Sequence, residues 1–361
     1  MLDFLSAQWD MATSSMSANV VVPAANVLGM AQSLGDPREV SQAILIAALQ
    51  LFLIACVMRP LESLVPAERW ENRRHTTVDR NFTLLMLLGL FPLFSFIVLM
   101  PVAHLLGGGP ASDEVNGLKA WVPWFADHPY ALFVVYYLVY DCVYYWMHRA
   151  QHAVPWWWAM HSMHHSQRQM SCWSNDRSNY VDGMLQSIIL ASVGLVMGVE
   201  VSEFAWLSLL SELVQNFSHA NVALRLGWVG RLGERLFVGP RFHRNHHMLR
   251  DPERPERHNC NFGQVLPWWD QLFGTALYHC ESLRETGVSD PQVDADNERG
   301  VVSMQWHSTR RFWGAVTCRA GWRMGDVSFD SDYQPIHDSI APNKGVVAKI
   351  RESGGMSSPK D

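Results

Sequence analysis

Long uncharged apolar runs interrupt the polar segments in the first third of the chain. Residues 40–58 carry no charge, and residues 81–112 are also uncharged, with their most apolar part at 82–106. A helix that crosses the hydrocarbon core of a bilayer needs about 20 mostly apolar residues. Both runs therefore predict transmembrane helices.

Two later apolar stretches are less regular. Residues 131–146 are rich in aromatic side chains and are interrupted at Asp141, which predicts a third helix whose last turns leave the hydrocarbon. Residues 183–199 are barely long enough to cross, and 204–211 are shorter still. Together they predict a helical hairpin that does not have to cross the membrane fully.

Charge asymmetry orients these helices. The loop after the first run is rich in arginine, whereas residues 107–119, before the third helix, are poor in basic residues. Because cytoplasmic loops carry the excess of Lys and Arg, the arginine-rich loop is predicted to be cytoplasmic. The third helix then returns to that side at His148, and a hairpin that runs out and back brings His219 there too. The arginines are Arg59, Arg69, Arg73, Arg74 and Arg80.

Composition supports a membrane protein. Of the 361 residues 48% are hydrophobic and only 17% are charged, against about 25% charged in soluble domains. The alternative is that the apolar runs are buried helices of a soluble all-α protein. A net charge of -6 with scattered basic residues gives no reason to expect a nucleic-acid partner. Six widely spaced cysteines without a CxxC pair indicate a reducing compartment, and no Lys or Arg precedes Arg38, unlike the basic start of a signal peptide.

Histidines form the strongest chemical pattern. Ten of the 16 lie between His148 and His258. Residues three or four apart share one helix face, so each such pair can reach one metal, while the adjacent histidine of an HxxHH points about 100° away, toward a second metal. Imidazole suits Fe, Zn, Cu and Ni alike. The motifs are HxxxH (His148, His152), HxxHH (His161, His164, His165) and a second HxxHH (His243, His246, His247).

Four residues outside these motifs are further candidates. His219 stands alone and is either a ligand or an ordinary histidine at a helix end. Gln215, four residues earlier, is either a ligand or a polar helix residue, and His258 fits a loop better than a metal site. Asp141 lies seven residues before His148 on the same helical face, where it would either orient a ligand imidazole or mark the wet end of the helix.

Four stretches of this region resemble the fatty acid hydroxylase/sterol desaturase superfamily. The resemblance covers roughly residues 140–275, and the stretches are YDCVYYWMHRAQH, PWWWAMHSMHHS, QNFSHAN and VGPRFHRNHHMLRDPERPERHNCNFGQVLPWWDQLFGT. It implies an all-α, polytopic membrane helical bundle with a cytosolic, histidine-rich cap that binds two metal ions. The implied ligands of two Fe ions are His148, His152, His161, His164, His165, His219, His243, His246 and His247.

The chain departs from the family pattern at two places. Related enzymes have Asn or His four residues before the isolated histidine, where this chain has Gln215, which would bind directly or through water. The histidine that usually follows the family's arginine is also absent, because Arg177 is followed by Ser178 and Asn179. This second change would alter the entrance for the substrate.

The resemblance implies an O2-dependent oxidoreductase that hydroxylates or desaturates a C–H bond of a lipid such as a fatty acyl chain or sterol. The reaction needs a high-valent metal–oxygen species, and the protein positions the substrate and excludes water. Electrons are expected from a ferredoxin- or cytochrome-type donor, since the chain has no GxGxxG or CxxCH motif. A membrane metal transporter or metal-binding protein with the same histidines is the alternative. A zinc hydrolase is disfavoured because no HExxH occurs.

The chain is therefore divided into four parts. Residues 1–39 are predicted to be a polar extramembrane segment, and residues 40–139 hold transmembrane helices without motif histidines. Residues 140–279 are the catalytic domain. Residues 280–361 are predicted to be a polar tail with a disordered end, in which residues 306–322 either lie on the membrane or form a plain surface. The whole is predicted to be an integral membrane protein of a bacterial inner membrane or an ER-type membrane.

Overall fold

The computed structural model describes residues 2–29, 36–70, 72–90, 117–198, 201–224, 226–249, 259–278, 285–317 and 340–342. Almost every element in them is helical. The first helices are α1 (Leu2–Met16) and α2 (Val22–Val27), joined by the π-helical turn Ser17–Val21. The segment predicted to be polar and extramembrane is thus helical over most of its described length. Helix α1 packs against the helix that begins at Pro37.

The first apolar run forms a continuous helical rod. Helix α3 (Pro37–Leu53) begins with Asp36, whose side chain accepts a hydrogen bond from the backbone N–H of Arg38 at 2.8 Å, and with Pro37 in the first turn, where a proline costs no hydrogen bond. The π-helical turn Ile54–Met58 leads into α4 (Arg59–Leu64). Among the described residues, this rod of 28 residues, Pro37–Leu64, is the one helix long and apolar enough to cross a membrane.

The other predicted membrane segments have mixed outcomes. Helix α5 (Arg74–Leu85) and the π-helical turn Met86–Leu90 contain the start of the second run, and residues 91–116 lie outside the described part of the chain. The third run lies in one long helix and the hairpin in two, as predicted for secondary structure. None of these three helices is both long enough and apolar enough to be a candidate membrane span. The polytopic bundle therefore stays a prediction.

The central part of the chain consists of helices that converge on one region. They are α6 (Leu118–Trp121), α7 (Pro129–Ala153), α8 (Pro155–His165), α9 (Tyr180–Met197), α10 (Val201–His219), α11 (Gly227–Leu236), α12 (Pro240–His246) and α13 (Trp268–Leu272). The 3₁₀ turns Pro123–Ala126 and Ser174–Asp176 lie between them.

A proline separates the two helices that carry most of the histidines. Val154 has an extended backbone (φ -94°, ψ 123°), and Pro155 begins α8. Because proline lacks a backbone N–H and its predecessor avoids the helical region, α7 ends there and α8 leaves in a new direction. The two helices still pack against each other, which brings their histidines together.

The main core lies along α7. Tyr136, Tyr140 and Tyr144 recur at four-residue spacing, so they share one helix face. They are buried with Leu190 of α9 and Leu207 of α10. The aromatic run therefore serves to pack α7 against its neighbours.

The segment after residue 279 differs from its prediction. The described residues 285–317 include α14 (Pro291–Asp294), the 3₁₀ turn Ala295–Glu298 and α15 (Val301–Val316), which packs along α8. Met304 of α15 is fully buried with Phe82 and Met163. One face of α15 is buried, which integrates this part of the chain into the core. The residues of this face are interspersed with polar residues along the sequence, so composition did not predict it. A short antiparallel pair links β1 (Glu68–Trp70) to β2 (Ile340–Pro342).

Candidate metal centre

Nine histidines from four helices meet at one end of the helical core. His148 and His152 lie in the last turns of α7, three others lie at the end of α8, and His219 is the last residue of α10. The remaining three lie in α12 and at the residue that follows it. These are all of the histidines that the motifs and the resemblance single out.

The nine rings divide into two groups of potential ligands. The nitrogen atoms within each group lie within 4.8 Å of one another. The five-histidine group is His148, His152, His161, His165 and His246, and the four-histidine group is His164, His219, His243 and His247. Each HxxHH is split, because its i,i+4 pair stays together while the third ring joins the other group, as expected when that ring points to another side of the helix.

Hydrogen bonds to Nδ1 fix three rings of the five-histidine group. The partners are Phe262 O for His148 (2.9 Å), Asp182 Oδ2 for His161 (3.1 Å) and Cys260 O for His246 (2.7 Å). A carbonyl or carboxylate oxygen only accepts, so Nδ1 of each ring carries the hydrogen and Nε2 of the neutral ring presents a lone pair. The Nε2 atoms of His148, His161 and His165 are buried and have no hydrogen-bond partner among the described residues.

In the four-histidine group, two Nε2 atoms approach each other although neither carries a hydrogen when both rings are neutral. His164 donates from Nδ1 to Arg177 O at 3.2 Å, and His219 donates from Nδ1 to Gln215 O at 2.8 Å. Their Nε2 atoms are nevertheless only 3.2 Å apart. Two lone pairs at this distance repel each other, and a shared cation would remove the repulsion.

Burial lowers the pKa of several rings in both groups, which favours their neutral form. Removal from water lowers the pKa of His219 to about 4, and burial followed by the charge of His219 holds the pKa of His164 well below its ordinary value of 6.5. Burial likewise lowers the pKa of His148 and His165. Neutral imidazole is the form that binds metals. The donor set, its protonation and its converging lone pairs therefore fit two adjacent metal ions.

Asp182 of α9 holds the five-histidine group in place from outside. Its carboxylate is fully buried and accepts hydrogen bonds from His161 Nδ1, from Gln151 Nε2 at 2.7 Å and from Trp157 Nε1 at 2.7 Å. Such outer partners fix the orientation of a ligand ring and make it a better donor. The motif spacing gave no signal for Asp182, which lies 21 residues after the histidine it orients.

The loop that supplies two of the carbonyl acceptors is tied down by Asp270. Its carboxylate accepts from the backbone N–H groups of Phe262 (2.8 Å) and Gly263 (2.7 Å). A Cβ on Gly263 would lie 2.7 Å from Leu266 O and 2.9 Å from an Asp270 carboxylate oxygen, so only glycine fits. The NFG…WDQLFGT phrase thus has a structural role, since it holds the loop that orients His148 and His246.

Arg177 supports the four-histidine group and joins it to the C-terminal segment. Its side chain is fully buried and donates to Asp79 Oδ1 (3.1 Å), Ser166 Oγ (2.7 Å) and Asn297 Oδ1 (3.3 Å). Its backbone carbonyl accepts from His164. The predicted effect of Ser178 and Asn179 on a substrate entrance stays a prediction.

The three secondary candidates have different outcomes. The side-chain oxygen of Gln215 accepts from Tyr144 OH at 3.2 Å, and Gln215 orients His219 through its backbone carbonyl. Asp141 is buried rather than at a wet helix end, and it orients no histidine in the described structure. Its carboxylate accepts from the backbone of Val265 and Leu266, because the loop 260–269 packs between it and the histidines. His258 lies outside the described residues.

Comparison with known proteins agrees with this geometry. Residues 133–275 match the family model described as fatty acid hydroxylase. The matched segment contains all nine histidines, Asp182, Arg177 and Asp270. This match confirms the resemblance of this part of the chain to the fatty acid hydroxylase/sterol desaturase superfamily.

Curated relatives match part of the chain as well. The ornithine lipid hydroxylase OlsE of Rhizobium tropici is 30% identical over 132 residues, which is 36% of this chain and 37% of that protein. Alkylglycerol monooxygenases of Xenopus tropicalis and Danio rerio are 27% identical over 162 residues and 28% over 157 residues. These two matches cover 45% and 44% of this chain and 33% and 31% of the relatives. The chain thus spans about a third of the length of these relatives, and no solved structure matches it.

Proposed function

We propose that this chain is a membrane-bound oxidoreductase that uses O2 and external electrons to hydroxylate a C–H bond of a lipid. The observation that carries the proposal is the pair of adjacent, all-imidazole groups, nine rings of which eight are buried and His152 is partly buried, in the part of the chain that matches the fatty acid hydroxylase family. The balanced reaction is R–H + O2 + 2 electrons + 2 H⁺ → R–OH + H2O. The names of the relatives, a hydroxylase and two monooxygenases, support insertion of oxygen over desaturation.

Two iron ions are proposed as the cofactor, one for each histidine group. A bound pair of irons would pass the electrons of the external donor to O2 and act as a Lewis acid. The chain's own contribution is to gather nine imidazoles and to fix the orientation of five of them. Asp182 and the carbonyls of residues 177, 215, 260 and 262 keep the hydrogen on Nδ1 of five rings, and the surrounding helices exclude water from the site.

The membrane is the proposed source of substrate. The rod Pro37–Leu64 has the length and composition of a membrane span. Helix α11 lies in sequence between His219 and His243 and exposes Trp228, Val229 and Leu232 along one face. A helix with one apolar, exposed face is typical of a membrane surface. We infer a polytopic arrangement in which the site lies at the cytoplasmic face and a lipid chain enters it from the bilayer.

The test combines metal content with lipid analysis. Full-length protein is expressed in a host with a ferredoxin- or cytochrome-type donor, beside a His164→Ala, His246→Ala double variant that removes one ring from each group. A His128→Ala variant is the matched control, because His128 is exposed and belongs to neither group. A lipid species that gains one oxygen with the intact and control proteins, but not with the double variant, supports hydroxylation. A species that loses two hydrogens would instead identify a desaturase.

Iron analysis tests the stoichiometry separately. The intact chain is expected to bind two irons, and each single variant, His164→Ala or His246→Ala, is expected to bind fewer. Iron that stays at two in the double variant would contradict the assigned ligands. Iron that is bound as expected, with no lipid oxidised in several hosts and with several donors, would favour the metal-handling alternative.

A further inference from the structure

A second site lies on the outer side of the C-terminal helices, apart from the histidines. An open cavity of about 740 Å³ is formed between α14 and the second half of α15. Four of its lining residues are basic and one is a tryptophan: Arg299, His307, Arg310, Arg311 and Trp313. No Asp or Glu is among the residues that line it.

The charges of this cavity are only partly compensated. Arg311 is buried and pairs with Asp296 at 2.5 Å, and Arg299 shares the same carboxylate at 2.6 Å. Arg310 is exposed, and no ion pair joins it to another described residue. Burial, and then the positive charge of Arg299, lower the pKa of His307. The cavity therefore has a positive potential and an arginine that is available to a ligand.

Tryptophans flank the available arginine on the exposed face of α15. Trp306, Arg310 and Trp313 recur at spacings of four and three residues and so share one face of the helix. The side chains of Trp306 and Trp313 are 63% and 58% exposed. Exposed apolar side chains in a group mark a site that contacts a membrane or another molecule. Indole rings prefer the headgroup region of a bilayer.

Other faces of α15 contact the residues at which α8 and α9 begin. Phe312 contacts Trp156, with ring centroids 6.1 Å apart, and Trp156 is the second residue of α8, three residues after α7 ends. Gln305 accepts a hydrogen bond from the backbone N–H of Tyr180 at 3.0 Å, where α9 begins. The start of α9, Tyr180–Gly194, is a short apolar helix. Helix α15, which carries three of the four basic residues of the cavity, thus packs near the end of α7 and the start of α9.

We propose that this cavity binds the phosphate of an anionic phospholipid headgroup, while Trp306 and Trp313 lie in the interface beside it. A basic pocket at the cytoplasmic leaflet meets a surface rich in anionic lipid. An acidic protein partner would complement the charge, but it would not account for the row of exposed indoles on the same face. The site would attach the C-terminal segment, and with it α8, to the membrane surface.

The test is an isothermal titration calorimetry experiment in which dioctanoyl phosphatidylglycerol is added to the detergent-solubilised full chain. Saturable binding is expected for the intact protein. Arg310→Gln is expected to weaken it about tenfold or more, because a charge-assisted hydrogen bond is lost. Arg80→Gln is the matched control, since Arg80 is an exposed arginine on α5, outside the cavity, and this change should leave the binding constant unaltered.

Other probes distinguish the sources of the anion. Dioctanoyl phosphatidylcholine should bind more weakly, and inorganic phosphate should compete only poorly because it lacks the glycerol and acyl groups that contact the tryptophans. Absence of saturable binding, or equal binding by Arg310→Gln, would overturn the proposal. Equal affinity for inorganic phosphate would assign the cavity to a free anion instead. The iron content of Arg310→Gln should be unchanged, so the result does not depend on the proposed oxygenase activity.

Discussion

The carboxylate of Asp182 accepts a hydrogen bond from Nδ1 of His161 at 3.1 Å, and both side chains are buried. Asp182 lies in the first turn of the apolar helix α9, whereas His161 belongs to α8. The pair therefore connects a helix that contributes none of the nine rings to the orientation of one of them. Gln151 and Trp157 donate to the same carboxylate, so its position is fixed by three groups.

Replacement of Asp182 by Asn should weaken metal retention. The amide cannot accept from all three donors, and changes of this kind typically cost about 10–100-fold in metal affinity or activity. Iron measured after dialysis against a chelator would show the loss, and Asp127→Asn, at an exposed position, is the matched control. Equal retention by both variants would mean that Asp182 does not help to orient the site.

A methyl group at Gly263 should disturb the loop that orients His148 and His246. The new Cβ would meet Leu266 O at 2.7 Å, so Gly263→Ala is expected to lower the free energy of unfolding, by about 1–3 kcal/mol for overpacking. Metal loss should accompany it. Gly233→Ala is the control, because its Cβ would meet nothing within 4 Å. Thermal unfolding in detergent would compare the two, and a Gly263→Ala protein as stable as the control would contradict the packing argument.

Arg177 and Asp79 form a buried ion pair whose separation should be costly. Arg177→Met leaves the Asp79 carboxylate buried without its charged partner, and such a change costs about 3–5 kcal/mol. The double variant Arg177→Met, Asp79→Asn removes both charges and should recover part of the loss. Denaturant unfolding of the three proteins gives the coupling energy. Additive losses would show that the pair contributes no coupling at this position.

Asp270 should give a recognisable pH dependence. Burial raises its pKa from 3.8 to about 6 in the folded protein. Between these values the folded state binds the proton more tightly than the unfolded state, so this group's contribution to stability is lost as pH rises from about 4 to 6, by about 3 kcal/mol. As pH rises from about 4 to 6, the free energy of unfolding of the intact protein should therefore fall by about 3 kcal/mol relative to that of the Asp270→Asn variant. A difference that is independent of pH would contradict the raised pKa.

The histidine pattern was the part of the site that sequence could predict. Because residues three or four apart share a helix face, the spacing indicated that each HxxHH serves two metals, but it did not choose between the two possible pairs. The structure places His161 with His165 and His243 with His247. Spacing along one helix carries no information on groups from other elements. Asp182 and Asp270 were therefore missed, and the closing NFG…WDQLFGT phrase, known only as a family feature, became interpretable through the hydrogen bonds of Asp270.

The C-terminal segment shows the same limit for the fold. Its polar composition predicted a tail, but its charges are internal partners: Arg311 pairs with Asp296, and Asp294 pairs with Arg168 at 2.6 Å. A charged residue is usually at the surface, and only the folded structure shows that these are paired across elements. Composition alone cannot distinguish a solvated charge from a buried pair.

The position of α15 against α8 has a consequence for the order of events during synthesis. Because domains fold progressively from the N-terminus as the ribosome releases the chain, residues 148–247 are available long before residue 316. Yet Asn297 contacts both Ser166 and Arg177, beside the backbone that orients His164. The histidines emerge early in translation, but their scaffold closes only when one of the last described helices arrives. Metal loading is therefore expected to be a late, essentially post-translational step, and nascent chains halted near residue 275 should exchange their metal freely.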